Sequence, residues 1–170
     1  MCYNSPTYLQ LFGKSYIFVK KYLMSRVNAI FHIVINTHNR QMTIRNDHRE
    51  DLYRYIWKII KNNDCVLYRI NGLPNHLHIL LDLKPTLALS DLVRQIKQSS
   101  SEFARTCGFF PDWDGWGKEY AAFSVSYEER LAVVEYIKGQ QEHHARETFE
   151  EEFKLLALKN GITWSDYLLT

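Results

Sequence analysis

Two short motifs contain residues whose types and spacing could act on a phosphodiester. In Asn75-His76-Leu77-His78, two histidines are separated by one apolar residue. In Tyr136-Ile137-Lys138-Gly139-Gln140, a tyrosine and a glutamine stand four residues apart. Two imidazoles and a carboxamide oxygen can hold one divalent metal ion, and a tyrosine beside that ion could attack a phosphodiester. Together, the motifs predict an enzyme that cuts and rejoins DNA.

The histidine pair is the candidate metal site. Side chains alternate along a strand, so His76 and His78 would project from one face with their Cα atoms roughly 7 Å apart. They begin an otherwise apolar strand, where two polar groups need a partner. Histidines in strands are also commonly surface or hydrogen-bonded core residues, which is the simpler interpretation. With Gln140 as third ligand, the set would form a weak, open site that suits Mg²⁺ or Mn²⁺. The pair His143-His144 is a rival source of ligands, expected to lie beside the site or to contact DNA.

The tyrosine is the candidate nucleophile. Residues four apart are neighbours on a helix, so Gln140 could reach the metal while Tyr136 faces the phosphate. A phenol with its ordinary pKa of about 10 is a poor nucleophile, so the ion would have to act as a Lewis acid. A covalent phosphotyrosine would keep the energy of the broken bond for rejoining. Alternatively, Tyr136 is one of eleven tyrosines and packs against the sheet. Tyr120, at the start of a strand, and Tyr127, in the first turn of a helix, are the tyrosines most easily mistaken for the nucleophile.

Composition and charge restrict the class of protein. The chain has 170 residues, 46% of them hydrophobic and 24% charged, as in a soluble globular domain. A net charge of +2 requires any nucleic-acid site to be a local patch. Three cysteines without CxxC spacing indicate reduced thiols in a cytoplasmic protein, and no apolar run is long enough for a membrane span. We expect Met24 to be the natural start, which makes residues 1–23 an N-terminal extension and 24–170 a single domain.

The pattern of apolar and capping residues predicts the elements that hold these motifs. Four strands are expected at 29–36, 65–70, 77–83 and 120–125, with a turn at Asn71-Gly72. Helices are expected at about 48–62, 88–104 and 127–143, and a final helix runs from Thr148 to the C-cap at Asn160-Gly161. Capping boxes are predicted at Asp47/Glu50, Ser126/Glu129 and Thr148/Glu151. This order predicts an α+β, ferredoxin-like or RRM-like split βαβ fold. Its four-stranded antiparallel sheet would carry two helices on one face, followed by additional C-terminal helices.

The chain resembles the single-tyrosine HUH transposases of the smallest bacterial insertion sequences and their relatives associated with repetitive extragenic palindromes. The similar segments lie between about 29 and 167 and include FHIVINTHNR, INGLPNHLHILLDLKP, LVRQIKQSSS, WGKEYAAFSVS and YIKGQQEHH. The resemblance implies that His76, His78 and Gln140 bind Mg²⁺ or Mn²⁺ and that Tyr136 is the nucleophile. The family most often has Asp where this chain has Asn75, and because that position is not a ligand we expect a modest effect.

The resemblance also implies the partners of the chain. The family binds hairpins near element ends and cleaves single-stranded DNA, leaving a 5′-phosphotyrosine and a free 3′-OH. It acts as a homodimer whose active sites are completed in trans.

Two groups of polar residues are candidate DNA contacts, since phosphates are bound by Lys, Arg and small hydroxyl donors. One lies on the second predicted helix and contains Arg94, Lys97, Gln98, Ser99 and Ser100. The other, at Thr37, His38, Asn39 and Arg40, follows the first strand. A solvated helix face would show the same composition.

Three alternatives remain open at the sequence level. The first is a domesticated relative that cuts repetitive palindromes without being mobile. The second is a catalytically silent RRM-like nucleic-acid-binding module, which would be expected to carry aromatic residues where His76 and His78 stand. The third is a metal hydrolase without a covalent intermediate, which would tolerate loss of Tyr136.

Overall fold

The computed structural model describes residues 9–12, 15–18, 27–144 and 148–162. The strands are β1 (Leu9–Phe12), β2 (Ser15–Phe18), β3 (Ile30–Asn36), β4 (Val66–Leu73), β5 (His76–Asp82) and β6 (Ala121–Ser124). The helices are α1 (Arg49–Asn62), α2 (Leu89–Thr106), α3 (Arg130–Lys138), α4 (Gln140–His143) and α5 (Phe149–Lys159), with a 3₁₀ turn at His38–Arg40.

The four core strands form one antiparallel sheet in the order β4-β5-β3-β6. With β3 first in the core sequence, this is the predicted split βαβ topology, and the fold class is confirmed. The strands β1 and β2 pair only with each other in an antiparallel hairpin among the described residues. This hairpin lies within the predicted N-terminal extension, and the domain boundary at residue 24 stays a prediction.

The main core lies between one face of the sheet and helices α1 and α2. Each helix places its apolar residues at a spacing of three or four, so one stripe of the helix is buried. Alternate residues of β3 and β5 meet these stripes. The buried residues of this layer include Ile33, Ile35, Leu52, Ile56, Ile60, Leu77, Ile79, Leu81, Leu92 and Ile96.

The opposite face of the sheet is covered by α3 and α5. Ile30 and Leu80 pack with Ile137 of α3. Val34 packs with Phe153 of α5, together with Ala121 and Phe123 of β6. The sheet is therefore enclosed on both faces, and the histidines of β5 project into this second layer.

The structure confirms the existence and type of each predicted core element and corrects three local details. The third predicted helix is two helices, α3 and α4, separated at Gly139. The capping box at Asp47 is wrong: the residue at the helix boundary is His48, and the Asp47 carboxylate instead accepts from Arg45. The capping box of α5 at Thr148 is confirmed.

The predicted turn at Asn71-Gly72 is also wrong. Both residues continue β4, which pairs with β5 up to Leu73 opposite His76, so the hairpin turns at residues 74–75. A Cβ at Gly72 would clash with the carbonyl oxygen of His76, so the close approach of the strands explains this glycine better than a turn does. Among the described helices, none has the length and apolar character needed to cross a membrane.

Candidate active site

The two predicted histidine ligands lie side by side beneath the second layer. His76 and His78 belong to β5 and point away from α1 and α2, because their neighbours Leu77 and Ile79 fill the main core. Both histidines are 0% exposed. Burial of two imidazoles at one point requires partners for their nitrogens.

Each histidine uses one ring nitrogen within the protein and leaves the other unpaired. His76 Nδ1 lies 2.7 Å from Asn75 Oδ1, and His78 Nδ1 lies 2.9 Å from Nε2 of His32 on β3. The Nε2 atoms of His76 and His78 are buried and have no hydrogen-bond partner. Because Asn75 Oδ1 can only accept, His76 Nδ1 carries the proton and its Nε2 presents a lone pair.

The helix with the candidate nucleophile is attached to β4 by Asn71. The Asn71 amide donates to the carbonyl oxygens of Ile137 (2.9 Å) and Lys138 (3.1 Å), at the end of α3. Gln141 of α4 returns a hydrogen bond to Asn71 Oδ1 at 2.9 Å. This attachment places Tyr136 and Gln140 over the histidines of the same chain, and the rings of Tyr136 and His78 lie edge to face at 5.9 Å.

A carboxylate that the sequence did not indicate occupies the middle of the site. Glu152 of α5 is 2% exposed, and its Oε1 accepts from the Tyr136 hydroxyl and from Gln140 Nε2 (2.7 Å). Its Oε2 lies 2.8 Å from His144 Nε2. The same oxygen is 3.4 Å from His78 Nε2 and 3.7 Å from His76 Nε2. Glu152 therefore connects the candidate nucleophile to the candidate metal ligands.

The pKa values follow from this burial. Burial and the neighbouring His78 lower the pKa of both His32 and His76 to about 3, against a weaker opposing effect of Glu152. Burial by itself would raise the pKa of Glu152, but its interactions with His78, Tyr136 and Gln140 outweigh that effect and hold this pKa well below the usual range. At neutral pH the site thus contains neutral His32 and His76 and an ionised Glu152.

The donor atoms fit a divalent metal ion. His76, His78, His144 and Glu152 each offer a ligand atom, and these atoms lie within 4.8 Å of one another. The Oε1 atom of Gln140 is also buried without a hydrogen-bond partner. A cation would satisfy these three buried polar atoms, the two Nε2 atoms and the amide oxygen. The side chain of His143 lies outside the described part of the structure.

A cavity of about 360 Å³ leads to the tyrosine between α3 and α5. His32, Tyr136 and Glu152 line it beside the apolar residues Val133 and Leu156. Such a volume could admit one nucleotide unit to the site.

The predicted DNA contacts on α2 lie on the opposite side of the sheet from Tyr136. Ser100 is fully buried, donates to the carbonyl of Ile96 and accepts from Trp116, so its hydroxyl is not available to a phosphate in this fold. This part of the prediction is corrected. Lys97 Nζ donates to the carbonyl oxygens of residues 117, 118 and 119, which fixes the loop before β6.

The three other predicted DNA contacts are exposed or partly exposed. Arg94 is exposed and pairs with Asp91 at 3.0 Å, while Ser99 is partly exposed. Arg40 is exposed, pairs with Glu150 of α5 at 2.8 Å and lies 5.4 Å from the ring centre of Phe149. Their role in DNA binding stays a prediction.

Comparison with known proteins agrees with this geometry. The family model described as "Transposase IS200 like" matches residues 25–140, which include the histidine pair, Tyr136 and Gln140. The chain belongs to the IS200-like transposase family. The ISDra2 transposase TnpA of Deinococcus radiodurans is 23% identical over 137 residues, covering 76% of this chain and 90% of that protein.

Solved structures of other proteins share the fold of this IS200-like transposase. A crystal structure of a transposase candidate from D. radiodurans has a TM-score of 0.56 at 23% identity and covers 72% of this chain and 98% of that one. A REP-associated tyrosine transposase bound to a REP hairpin has a TM-score of 0.51 at 18% identity, with coverage of 71% and 72%.

Sequence reasoning about this IS200-like transposase missed Glu152, His32 and the role of Asn71. Glu152 lies on α5, beyond the residues that the family model matches. Its one signal was local: an acidic residue directly before the apolar Phe153, which shares a helix face with Ala157. His32 had a similar signal, as the polar residue in the middle of a strand that is otherwise apolar from Ile30 to Ile35.

Proposed function

We propose that this IS200-like transposase cleaves and rejoins single-stranded DNA at element ends through a covalent 5′-phosphotyrosine on Tyr136, with a divalent metal ion. The observation that supports this proposal most directly is the convergence at Glu152. The Tyr136 hydroxyl and the unpaired Nε2 atoms of His76 and His78 all meet this one carboxylate.

His76, His78 and Gln140 would hold the ion, which we propose to be Mg²⁺ or Mn²⁺. The two Nε2 nitrogens and the amide oxygen are buried and have no hydrogen-bond partner. Bound there, the ion would supply Lewis-acid activation of the scissile phosphate. Asn75 and His32 orient the two imidazoles through their Nδ1 atoms.

Tyr136 would perform the covalent step. Its oxygen forms a bond to the phosphorus while the bond from phosphorus to the 3′ oxygen breaks. The phenol loses its proton and the leaving oxygen gains one, so one strand ends in a free 3′-OH and the other stays attached to the enzyme. Glu152 Oε1 accepts the phenolic hydrogen bond and thereby holds the hydroxyl in one orientation. Attack of a 3′-OH on the phosphotyrosine reverses the step and rejoins a strand.

Hairpin DNA is the substrate that we propose, and a homodimer is the assembly that the family resemblance implies. A structural neighbour of this fold, the REP-associated enzyme, is bound to a REP hairpin. In the chain described here, α3 packs on β4 of its own chain through Asn71, so Tyr136 reaches the histidines without a partner.

The test is formation of a covalent adduct with end-labelled single-stranded DNA from the flanks of the gene, in the presence of Mn²⁺. We expect an adduct that peptide mapping places on Tyr136. In Tyr136→Phe it should fall by at least about a thousandfold, because the variant lacks the attacking oxygen. Hairpin binding, measured by gel shift, should be retained.

The matched control is Tyr127→Phe, because Tyr127 is exposed and lies outside the site. It should form the adduct as the parent chain does. Metal-dependent cutting by Tyr136→Phe would contradict the nucleophile assignment and favour a hydrolase. Tight hairpin binding by the parent chain without cutting would instead favour a silent binding module.

A further inference from the structure

We infer that Glu152 is a further protein ligand of the metal ion, which α5 adds to the two histidines and the glutamine. The inference rests on the proposed function, because it concerns the same metal site. It extends the site to a helix that lies outside the stretch matched by the family model, which ends at residue 140.

The first argument is that acceptor atoms face one another across the site. His76 Nε2 presents a lone pair, since its Nδ1–H is used by Asn75. The ionised oxygen of Glu152 lies 3.7 Å from this nitrogen and 3.4 Å from His78 Nε2. The lone pair of His76 Nε2 and a carboxylate oxygen do not attract one another, whereas a cation between them would interact favourably with both. His78 Nε2 can ligate the same cation when its Nδ1 carries the proton and donates to His32.

The second argument is the distance between the donor atoms. Neighbouring ligand atoms about 2.1 Å from an octahedral ion such as Mg²⁺ are about 3.0 Å apart. Glu152 Oε2 lies 3.4 Å and 3.7 Å from the two Nε2 atoms, so side-chain shifts of less than 1 Å would bring the three atoms onto one ion. His144 Nε2 is closer, at 2.8 Å, which is a hydrogen-bond distance. We therefore assign His144 as a donor to the carboxylate, not as a ligand.

The third argument is charge. His76, His78 and Gln140 are neutral ligands, so the positive charge of a divalent ion bound to them alone would be buried without compensation. Glu152 is 2% exposed and supplies one compensating negative charge. The carboxylate is held by hydrogen bonds from Gln140 and His144, so it is already oriented before an ion binds.

The test is calorimetric titration of Mn²⁺ into the metal-stripped full chain, without DNA. We expect Glu152→Gln, which keeps the shape and removes the charge, to raise the Kd by at least about tenfold. The matched control is Glu150→Gln on the same helix, where the side chain is 66% exposed. It removes the same charge at the surface and should bind Mn²⁺ as the parent chain does.

Two further measurements keep the inference falsifiable. Visible absorption of Co²⁺ bound to the parent and to Glu152→Gln should differ, because the ligand set differs. Glu152→Asp keeps the charge on a shorter side chain and should bind Mn²⁺ with intermediate affinity. If the circular dichroism spectrum shows that Glu152→Gln is not folded like the parent, Glu152→Asp is the variant that tests the inference.

An unchanged Kd in folded Glu152→Gln would overturn the inference. So would tighter Mn²⁺ binding with faster DNA cleavage, which would show that the carboxylate stands in the position of the scissile phosphate. The readout is metal affinity without DNA. A chain that binds Mn²⁺ through Glu152 but forms no adduct would therefore support this inference and contradict only the proposed function.

Discussion

At the scale of single residues, the neighbours of the histidines decide which nitrogens face the candidate metal site. Asn75 occupies the Nδ1 atom of His76, and His32 occupies that of His78. Such outer partners fix the orientation of a ligating imidazole and raise its basicity. The spacing of His76 and His78 in the sequence predicted that both would project from one face of the strand. It could not predict His32, which is brought to His78 by the register of β3 against β5 across 46 residues of chain.

The role of Asn75 can be tested with two substitutions. Asn75→Ala removes the acceptor for the Nδ1–H of His76, so we expect the Kd for Mn²⁺ to rise by about tenfold. Asn75→Asp keeps an acceptor at the same position and should retain affinity equal to or higher than that of the parent. Calorimetric titration of the metal-stripped proteins measures both values. Equal affinities for the alanine variant and the parent would contradict this role.

At the scale of elements, local sequence determined what each segment becomes but not where the last helix docks. The apolar spacing of α1 and α2 and the capping residues of α5 are local signals, and those elements were predicted correctly. The choice of Phe153 and Ala157 as the buried face of α5, with Leu155 and Leu158 exposed, depends on the surface that the sheet offers. The turn predicted at Asn71-Gly72 was wrong for the same reason, because a distant contact determines the role of Asn71. Its side chain forms hydrogen bonds with α3 and α4, which lie 66 or more residues later in the chain.

The docking of α5 should depend on Phe153. Its buried ring packs with Val34, Ala121 and Phe123, so Phe153→Ala removes apolar contacts and leaves a cavity. We expect a loss of about 2–4 kcal/mol, seen as faster hydrogen exchange at the amides of α5. Because Glu152 precedes this residue, Mn²⁺ affinity should fall as well.

The control for this prediction is Leu155→Ala. Leu155 is 59% exposed on the same helix, so its truncation should change stability by no more than about 0.5 kcal/mol. Unchanged exchange of α5 in Phe153→Ala would show that another contact holds the helix on the sheet.

At the scale of the whole molecule, the enclosed sheet argues against a silent RRM-like module. Such a module stacks bases on an open sheet face. Here the face that carries His32, Val34 and His78 is buried beneath α3 and α5. The cavity at Tyr136 is open to a substrate, and its size suits a reaction at one phosphate better than a run of stacked bases.

The buried histidines should make the stability of the metal-free protein depend on pH. Burial lowers the pKa of His32 and His76 from 6.5 to about 3. Between pH 7.5 and 5.5 the unfolded chain therefore binds protons at these positions while the folded chain does not, so the free energy of unfolding falls as the pH falls. Glu152 adds no loss in this window, since its lowered pKa keeps it ionised.

We expect these two histidines together to reduce the free energy of unfolding by about 3 kcal/mol over this range. Urea unfolding in the presence of a chelator measures the change. His32→Gln removes one titrating group and should roughly halve the loss. Equal or greater stability of the parent at pH 5.5 would contradict the assignment of neutral buried histidines.

The last prediction concerns how many chains build one active site. Asn71 attaches the helix of Tyr136 to β4, and β4 pairs directly with β5, which carries His76 and His78. The four residues of the proposed site, Tyr136, Gln140, His76 and His78, therefore lie together within one chain. This geometry predicts that a mixture of His76→Ala and Tyr136→Phe chains, co-expressed with two different tags and purified as a heterodimer, forms no DNA adduct, because neither chain has a complete site. Adduct formation at Tyr136 of the His76→Ala chain would contradict this expectation and would show completion in trans, as the family resemblance implies. A heterodimer of the parent with Tyr136→Phe is the control, and it should form the adduct on the parent chain alone.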